Sequence, residues 1–140
     1  MSTGFPDLGN WVLRPFFSAV HRSEAAAFVI EDFAYLATGY ESDNGSRLKD
    51  VWQFDATNNS WKQMADFAGG PRNSAISFSI GNKGYLGTGF DGNNLLKDFW
   101  EYDPVADTWI RKADFGGSAR YNAVAFGILN YGYVSCGYDT

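Results

Sequence analysis

Arg72-Asn-Ser-Ala-Ile-Ser-Phe-Ser-Ile80 is one of three copies of the same pattern in this 140-residue chain. Arg, Ala, Phe and Ile recur at equal offsets in 22–30, 50 residues earlier, and in 120–128, 48 residues later. The register continues downstream, where a tyrosine and a glycine recur at Tyr35, Tyr85 and Tyr133 and at Gly39, Gly89 and Gly137. A period of this length is typical of repeat architectures in which each unit is one supersecondary structure.

Period-2 alternation and turn residues predict four strands in each unit, here called a to d. The predicted ranges are 24–30, 74–80 and 122–128 for a; 33–39, 84–89 and 131–137 for b; 50–54 and 98–102 for c; 60–64 and 108–112 for d. In strand a, large apolar side chains alternate with Ala, Ser or Gly. Such asymmetry favours an innermost strand, because sheets packed around an axis leave room for short side chains on one side.

Two further stretches carry a family resemblance. Phe54-Asp-Ala-Thr-Asn-Asn-Ser-Trp61 and Tyr102-Asp-Pro-Val-Ala-Asp-Thr-Trp109 resemble the kelch signature, in which a Tyr on strand c precedes a Trp on strand d by seven residues. The diglycine of that signature is reduced here to Thr38-Gly39, Thr88-Gly89 and Cys136-Gly137. Residues 88–92 and 97–103 are similar to bacterial kelch repeats described as galactose-oxidase-like. The resemblance implies a kelch-type β-propeller, and it favours the periplasm or cell surface, with the cytoplasm as the alternative.

The predicted fold is all-β, with four-stranded antiparallel blades of a kelch-type propeller. The repeat divides the chain into a d strand of a preceding blade at 9–14 within 9–21, blades at 22–71 and 72–119, and strands a and b of a next blade at 120–140. Two blades and two partial blades make an incomplete ring, since propellers close with four to eight. We expect the chain to continue past Thr140, or several copies to assemble; unpaired strand edges at the partial blades predict self-association.

Composition narrows the possible partners. A formal net charge of −5, with 11 scattered Lys and Arg, provides no basic surface for nucleic acid. No apolar run is long enough for a membrane span. Cys136, the single cysteine, excludes an internal disulfide and is expected to be a small buried residue. His21, the single histidine, cannot supply the ligand set of a copper oxidase, so we expect no metal and no cofactor.

Three arginines are the first binding candidates. Arg22, Arg72 and Arg120 each stand where a d–a loop enters the innermost strand, so the propeller geometry brings them towards the mouth of the channel. Guanidinium groups there would bind carboxylates of a ligand. In the alternative interpretation each arginine pairs with an aspartate such as Asp66 or Asp114 and fixes its own loop.

The remaining candidates are on the loops of the same face, where d–a and b–c loops lie together in an up-and-down blade. Asn73 and Tyr121 follow two of the arginines and differ between units. On the b–c loops an aromatic residue precedes an acid, and an aromatic ring beside a carboxylate suits a sugar. These candidates are Tyr40, Phe90, Asp91 and Tyr138.

The sequence therefore favours a non-catalytic scaffold that binds a protein or a glycan through the d–a and b–c loops. The alternative is part of a sugar-handling enzyme, because some kelch propellers that this chain resembles are sialic-acid mutarotases or carbohydrate oxidases. Their active sites draw on every blade, so this length of chain would be inactive alone. Repetition in register assigns the tryptophans (Trp52, Trp61, Trp100 and Trp109) to packing between blades.

Overall fold

The computed structural model describes Leu13, Phe17 and residues 19–140. The regular secondary structure of these residues consists of β-strands alone: β1 Ala26–Ile30, β2 Phe33–Glu41, β3 Ser46–Asp55, β4 Ser60–Met64, β5 Ile76–Ile80, β6 Lys83–Gly87, β7 Phe99–Asp103, β8 Thr108–Arg111, β9 Tyr121–Ile128 and β10 Tyr131–Tyr138. The strand expected at 9–14 lies, except for Leu13, outside the described residues.

The strands form sheets in chain order. One four-stranded sheet is β1-β2-β3-β4, which we call blade 1, and a second is β5-β6-β7-β8, blade 2. All neighbours are antiparallel, and β9 and β10 form a two-stranded third unit. The predicted all-β fold with four-stranded antiparallel blades is confirmed.

The predicted start of strand a was two residues early in the first two units. β1 begins at Ala26 and β5 at Ile76, and Glu24 and Ser74, two residues before them, have left-handed backbone angles with φ of 56° and 54°. The b–c hairpin of blade 1 is also longer than expected, since β2 runs to Glu41 and β3 starts at Ser46. This hairpin contains the two extra residues of the first repeat.

The innermost strands pack against one another through their small residues, as the alternation in strand a predicts. The Ser77 hydroxyl donates to the Ala27 carbonyl at 2.7 Å, and Ser79 donates to Val29. On the next strand, a Cβ at Gly127 would lie 2.1 Å from the Ser79 carbonyl oxygen. Only glycine allows β9 to approach β5 this closely.

The main core lies between blades 1 and 2. The Phe28 ring stacks on Tyr35 with centroids 5.1 Å apart, and Tyr102 of the next blade meets Tyr35 edge-on at 5.5 Å. Trp109 packs edge-on against Phe67 at 4.9 Å. Trp100 and Trp109 are both partly buried against this core, in agreement with their predicted packing role.

Thr or Cys stands in each unit where the kelch diglycine has its first glycine, and the backbone there has a conformation that favours glycine. Thr38, Thr88 and Cys136 have φ of 62°, 59° and 62°, which is the left-handed region. The Thr38 and Thr88 side chains are fully buried, and their hydroxyls have no hydrogen-bond partner among the described residues. The expectation that Cys136 is buried was wrong, since its side chain is exposed on the third unit.

The third unit exposes a face that blade 1 buries. Phe126 and Ile128 are 49% and 52% exposed, whereas the equivalent Phe28 and Ile30 are 5% and 3% exposed because blade 2 covers them. An apolar face on a two-stranded sheet is typical of an interaction surface. Self-association through it stays a prediction.

Candidate functional site

A cleft of about 490 Å³ opens between the d–a and b–c loops of blades 1 and 2 and the third unit. It brings together four of the predicted candidates, Asn73, Phe90, Tyr121 and Tyr138. The other lining residues are Glu24, Arg47, Leu95 and Thr140. The face predicted from the repeat therefore contains a concave site.

Local pairing of the backbone positions these side chains. In blade 2, the Asn73 N–H donates to the Phe90 carbonyl at 3.1 Å, and the Phe90 N–H donates back at 3.0 Å. The equivalent Tyr121 and Tyr138 are register partners on β9 and β10. Each d–a loop is thus tied to the b–c loop of its own unit, so residues that are 17 apart in sequence meet at the cleft.

The polar side of the cleft is a chain of hydrogen bonds that crosses between blades. Arg47 Nε donates to Asn73 Oδ1 at 2.7 Å, and Asn73 Nδ2 donates to Glu24 Oε2 at 2.5 Å. Ser74 Oγ donates to the same Glu24 oxygen. Asn73 is buried, whereas Glu24 is exposed and Arg47 half-buried. Asn73 therefore fixes the orientation of the two charged groups that can meet a ligand.

Hydrogen bonding keeps Glu24 in its charged form. The hydroxyl of Ser74 and then the amide of Asn73 lower the pKa of Glu24 below its usual value, and the charge of Arg47 acts in the same direction. Partial burial opposes this shift but is the weaker influence. The cleft accordingly presents a carboxylate acceptor at neutral pH.

Aromatic side chains also line the cleft. The rings of Phe90 and Tyr121 are 6.3 Å apart, and Tyr121 meets Tyr138 edge-on at 5.5 Å. The Arg47 guanidinium lies 4.8 Å from the centroid of Phe90 and 5.5 Å from that of Tyr40. Tyr40 therefore supports Arg47 from behind instead of lining the cleft. A site lined by aromatic rings together with a few fixed polar groups is typical of small-ligand binding.

The three arginines hold the blades instead of meeting at a channel mouth. Arg72 is 1% exposed and binds Asp98 with two parallel hydrogen bonds of 2.7 and 2.9 Å. Arg22 binds Asp50 in the same way at 2.6 and 2.7 Å. Each is committed to a strand-c aspartate of its own blade, which leaves neither guanidinium free to bind a ligand.

Arg120 repeats the backbone part of this arrangement. Its Nη1 donates to the Cys136 carbonyl at 2.6 Å, as Arg22 and Arg72 donate to Thr38 and Thr88, and its Nη2 approaches Asp139 at 3.4 Å. The prediction that aspartates such as Asp66 or Asp114 pair with these arginines was wrong. Asp66 instead pairs with Lys49, at 3.3 Å, and Asp114 with Arg111, at 3.0 Å.

Asp91 closes its own turn. Its Oδ1 accepts the N–H groups of Asn93 and Asn94 at 2.8 and 2.7 Å, which is an Asx turn. Both backbone bonds lower the pKa of Asp91. Asp91 therefore shapes the b–c loop and does not line the cleft.

Sequence reasoning missed Glu24 and Arg47. Glu24 stands at the position of Ser74 and Asn122, and its difference between units was the available signal. Arg47 lies in the loop where the first repeat has two extra residues, so no repeat partner drew attention to it. Both become functional candidates only because neighbouring blades place them beside Asn73.

The described residues contain no group of three or more His, Cys, Asp and Glu side chains arranged to hold a metal ion. In the same part of the chain no helix is long and apolar enough to cross a membrane.

Comparison with known proteins agrees with the repeat. Residues 89–116 match the family model for the kelch motif. The fold matches 133 chains of solved structures, among them one titled "Structure of YjhT", with a TM-score of 0.77 and 15% identity. That match covers 89% of this chain and 46% of the other, so this chain spans about half of that protein. No curated protein sequence matches.

The four-stranded sheets and this structural match show the fold of β-propeller blades, and residues 89–116 carry a kelch motif. The kelch repeat predicted from the sequence is confirmed.

Proposed function

We propose that these kelch-type blades form a non-catalytic scaffold that binds a glycan in the cleft between the d–a and b–c loops. The observation that carries the proposal is that Phe90, Tyr121 and Tyr138 line the same cleft as the hydrogen-bonded set of Glu24, Asn73 and Arg47. The C–H face of a sugar packs on an aromatic ring, and its hydroxyls both donate and accept hydrogen bonds. A carboxylate beside a guanidinium supplies both kinds of partner.

The size of the cleft favours a sugar over a protein surface. A volume of about 490 Å³ is within the range of small-molecule sites, roughly 300–1,000 Å³. A stable protein partner instead needs an interface of about 1,000 Å² or more. A protein ligand, the other class that the sequence allowed, would have to contact the loops well beyond the cleft.

Among the described residues one acidic side chain, Glu24, lines the cleft, and this favours binding over glycoside hydrolysis. Glycoside hydrolysis usually uses two carboxyl groups, one of them with a raised pKa so that it can act as an acid. Glu24 has a lowered pKa and already accepts two hydrogen bonds, from Asn73 and Ser74. It is suited to accept a hydrogen bond from a hydroxyl.

A glycan array probed with the 140-residue chain tests the proposal. We expect selective binding that Tyr121→Ala and Asn73→Ala both reduce at least tenfold. Tyr131→Ala is the matched control, because Tyr131 is a 67% exposed tyrosine at the β9–β10 turn and does not line the cleft. Equal binding by Tyr121→Ala and the unchanged chain would refute the proposed cleft. Chemical conversion of a bound sugar would instead favour the alternative function, part of a sugar-handling enzyme.

A further inference from the structure

A second cavity adjoins the cleft. It has a volume of about 450 Å³ and lies between the d–a loop of blade 1, at Ala68 and Gly69, and the loops of blade 2. We call it the Lys97 pocket, after the lysine in its lining. Leu95 lines both cavities. A ligand longer than one sugar can therefore extend from the cleft across Leu95 into the Lys97 pocket.

The pocket is formed within blades 1 and 2. All residues that line it lie in the range 68–119, in the two four-stranded blades and their loops. The repeat shows that a following blade leaves such a site open to solvent. Lys49 and Asp66, which occupy the positions of Lys97 and Asp114 in blade 1, have side chains that are 52% and 44% exposed although blade 2 follows them.

The two blades pair the charges of this site differently. In blade 1, Lys49 Nζ lies 3.3 Å from Asp66. In blade 2 the aspartate at that position, Asp114, instead pairs with Arg111, at 3.0 Å. Lys97 accordingly has no ion pair among the described residues. This departure from the repeat gives the pocket a positive charge that its own blade does not neutralise.

The remaining acidic side chain of the pocket is also paired. Asp98 accepts two hydrogen bonds from the buried Arg72, at 2.7 and 2.9 Å. Since Asp114 is paired as well, neither carboxylate is free to neutralise Lys97. An anion that enters the pocket therefore meets a net positive charge.

Backbone hydrogen bonds hold Lys97 in position. The Lys97 carbonyl accepts the Phe115 N–H at 2.7 Å, and the Leu96 carbonyl accepts the Arg120 N–H at 3.0 Å. The loop that contains Lys97 is thus fixed to the d–a loop that follows β8. A ligand that binds the ammonium group has no loop to order, which lowers the cost of binding.

The half-buried Trp100 adds an aromatic surface to the pocket. Its Nε1 donates to Asp98 at 2.7 Å, and its ring packs edge-on against Phe67, with centroids 6.0 Å apart. Both contacts fix the orientation of the indole. The pocket therefore combines an aromatic surface with an unpaired ammonium group, which suits a sugar that has an anionic substituent.

We propose that the glycan bound in the cleft is an anionic oligosaccharide, and that the Lys97 pocket binds a sugar unit whose sulfate or carboxylate group pairs with Lys97. The inference rests on the proposed function, because the rest of the same glycan occupies the cleft. Sulfate and carboxylate share the chemistry that matters here. Each is an oxyanion that accepts charge-assisted hydrogen bonds from an ammonium group.

An array of matched glycans tests the inference. The probes are β-1,4-linked tetrasaccharides of glucose, mannose and galactose, each printed in neutral, 6-O-sulfated and 6-carboxylate (uronate) form. We expect an anionic form of at least one backbone to bind the 140-residue chain at least threefold more tightly than its neutral form. Raising NaCl from about 50 to 500 mM should remove most of this difference, because salt screens exposed charges. The sulfated and uronate arms show which oxyanion the pocket prefers.

Substitution of the lysine locates the anion. Lys97→Ala should reduce the affinity for the anionic form to that for the neutral form. Lys49→Ala is the matched control, since it removes the same charge at the equivalent position of blade 1, where the lysine already pairs with Asp66. It should leave the preference for the anionic form unchanged. Preference that persists in Lys97→Ala would overturn the inference.

Arg111→Gln converts the charge pairing of blade 2 to that of blade 1, where Gln63 stands at the same position. It releases Asp114 to pair with Lys97, as Asp66 pairs with Lys49. The preference for the anionic form should therefore fall at least twofold. An increased preference would contradict the assigned role of the unpaired lysine.

The array also separates this inference from the proposed function. Equal binding of neutral and anionic forms that Tyr121→Ala weakens would overturn the inference alone. Binding of anionic forms that depends on Lys97 but not on Tyr121 would refute the cleft, and with it a glycan that spans both cavities. Absence of binding by every printed form would overturn both.

Discussion

Arg72 and Asp98 form a buried, two-pronged ion pair that closes blade 2, with Nη1–Oδ1 and Nη2–Oδ2 distances of 2.7 and 2.9 Å. The side chain of Arg72 is 1% exposed and that of Asp98 is 16% exposed, so the pair is largely shielded from solvent. Trp100 Nε1 donates a further hydrogen bond of 2.7 Å to the carboxylate. Arg22, Asp50 and Trp52 repeat the arrangement in blade 1.

Asp98→Asn should lower the free energy of unfolding by about 3–5 kcal/mol, because it leaves a buried guanidinium without its counter-charge. Urea unfolding followed by tryptophan fluorescence measures the change. Asp114→Asn is the matched control, since Asp114 pairs with Arg111 on the surface and should cost less than about 1 kcal/mol. Equal losses for the two variants would contradict the assigned role of the buried pair.

Acid should destabilise the blades through the same carboxylates. Burial alone would raise the pKa of Asp98, but the hydrogen bonds from Arg72 and Trp100 outweigh it and the pKa lies below the usual value. The same balance lowers the pKa of Asp50. A carboxyl group whose pKa is lower in the folded than in the unfolded state stabilises the folded protein at pH values above its unfolded-state pKa of about 3.9. This stabilisation is lost as the pH falls towards the folded-state pKa.

Urea unfolding measured from pH 6 to pH 3 tests this. The free energy of unfolding should fall with acid mainly below about pH 4. The fall should be smaller in Asp98→Asn, which has one such carboxylate fewer. An unchanged pH dependence in that variant would show that other groups control acid unfolding.

Thr88→Gly should stabilise the chain by about 1 kcal/mol, although it deletes a buried side chain. It removes a β-branched residue from a left-handed conformation, with φ of 59°, and a buried hydroxyl without a partner. Gly89→Ala should do the reverse and cost about 1–3 kcal/mol, because its Cβ would lie 2.8 Å from the Asn73 carbonyl oxygen. Thermal unfolding compares the pair; a loss of stability in Thr88→Gly would refute the strain argument.

Gly84→Ala should loosen the junction between blades 1 and 2. The added Cβ would lie 2.2 Å from Cε2 of the buried Phe28, and overpacking of this kind costs about 1–3 kcal/mol. Gly116→Ala is the control, since nothing lies within 4 Å of its added Cβ. Phe28→Leu in the same chain should recover part of the loss in Gly84→Ala. Additive effects of these two substitutions, measured by urea unfolding, would argue against the contact.

Binding of a glycan selected on the array should depend on pH through Glu24. Because hydrogen bonds lower its pKa, the carboxylate stays charged and affinity should be constant from pH 8 to about pH 5, then fall as the group is protonated. Glu24→Gln should bind more weakly and with a flatter pH profile. A loss of affinity between pH 7 and pH 6 would indicate that a different group controls binding.

The repeat made most of the fold predictable. Strand ranges, blade order and the small-residue face of strand a follow from period and alternation, because both report directly on which side chains share a surface. The start of strand a was missed, since the left-handed Glu24 and Ser74 carry no glycine that would have marked the turn.

The candidate site was predictable only in part. Asn73, Phe90, Tyr121 and Tyr138 could be assigned to one face from topology alone, whereas Glu24 and Arg47 could not. The arginines were wrongly included among the binding candidates. A repeated residue beside an expected channel suggested ligand binding, but Arg72 is buried against Asp98, a partner 26 residues away on strand c.

The sequence by itself determined the kind of blade, its strand order and its inner face, because these depend on local alternation repeated in register. Only the tertiary structure decided what each polar residue does. Arg72 forms a structural ion pair because Asp98, elsewhere in its own blade, is its partner, and Asn73 is at the centre of a cleft because the blade before supplies Glu24. Such contacts depend on which distant residues the pairing of strands and the packing of sheets bring together, which no local pattern encodes.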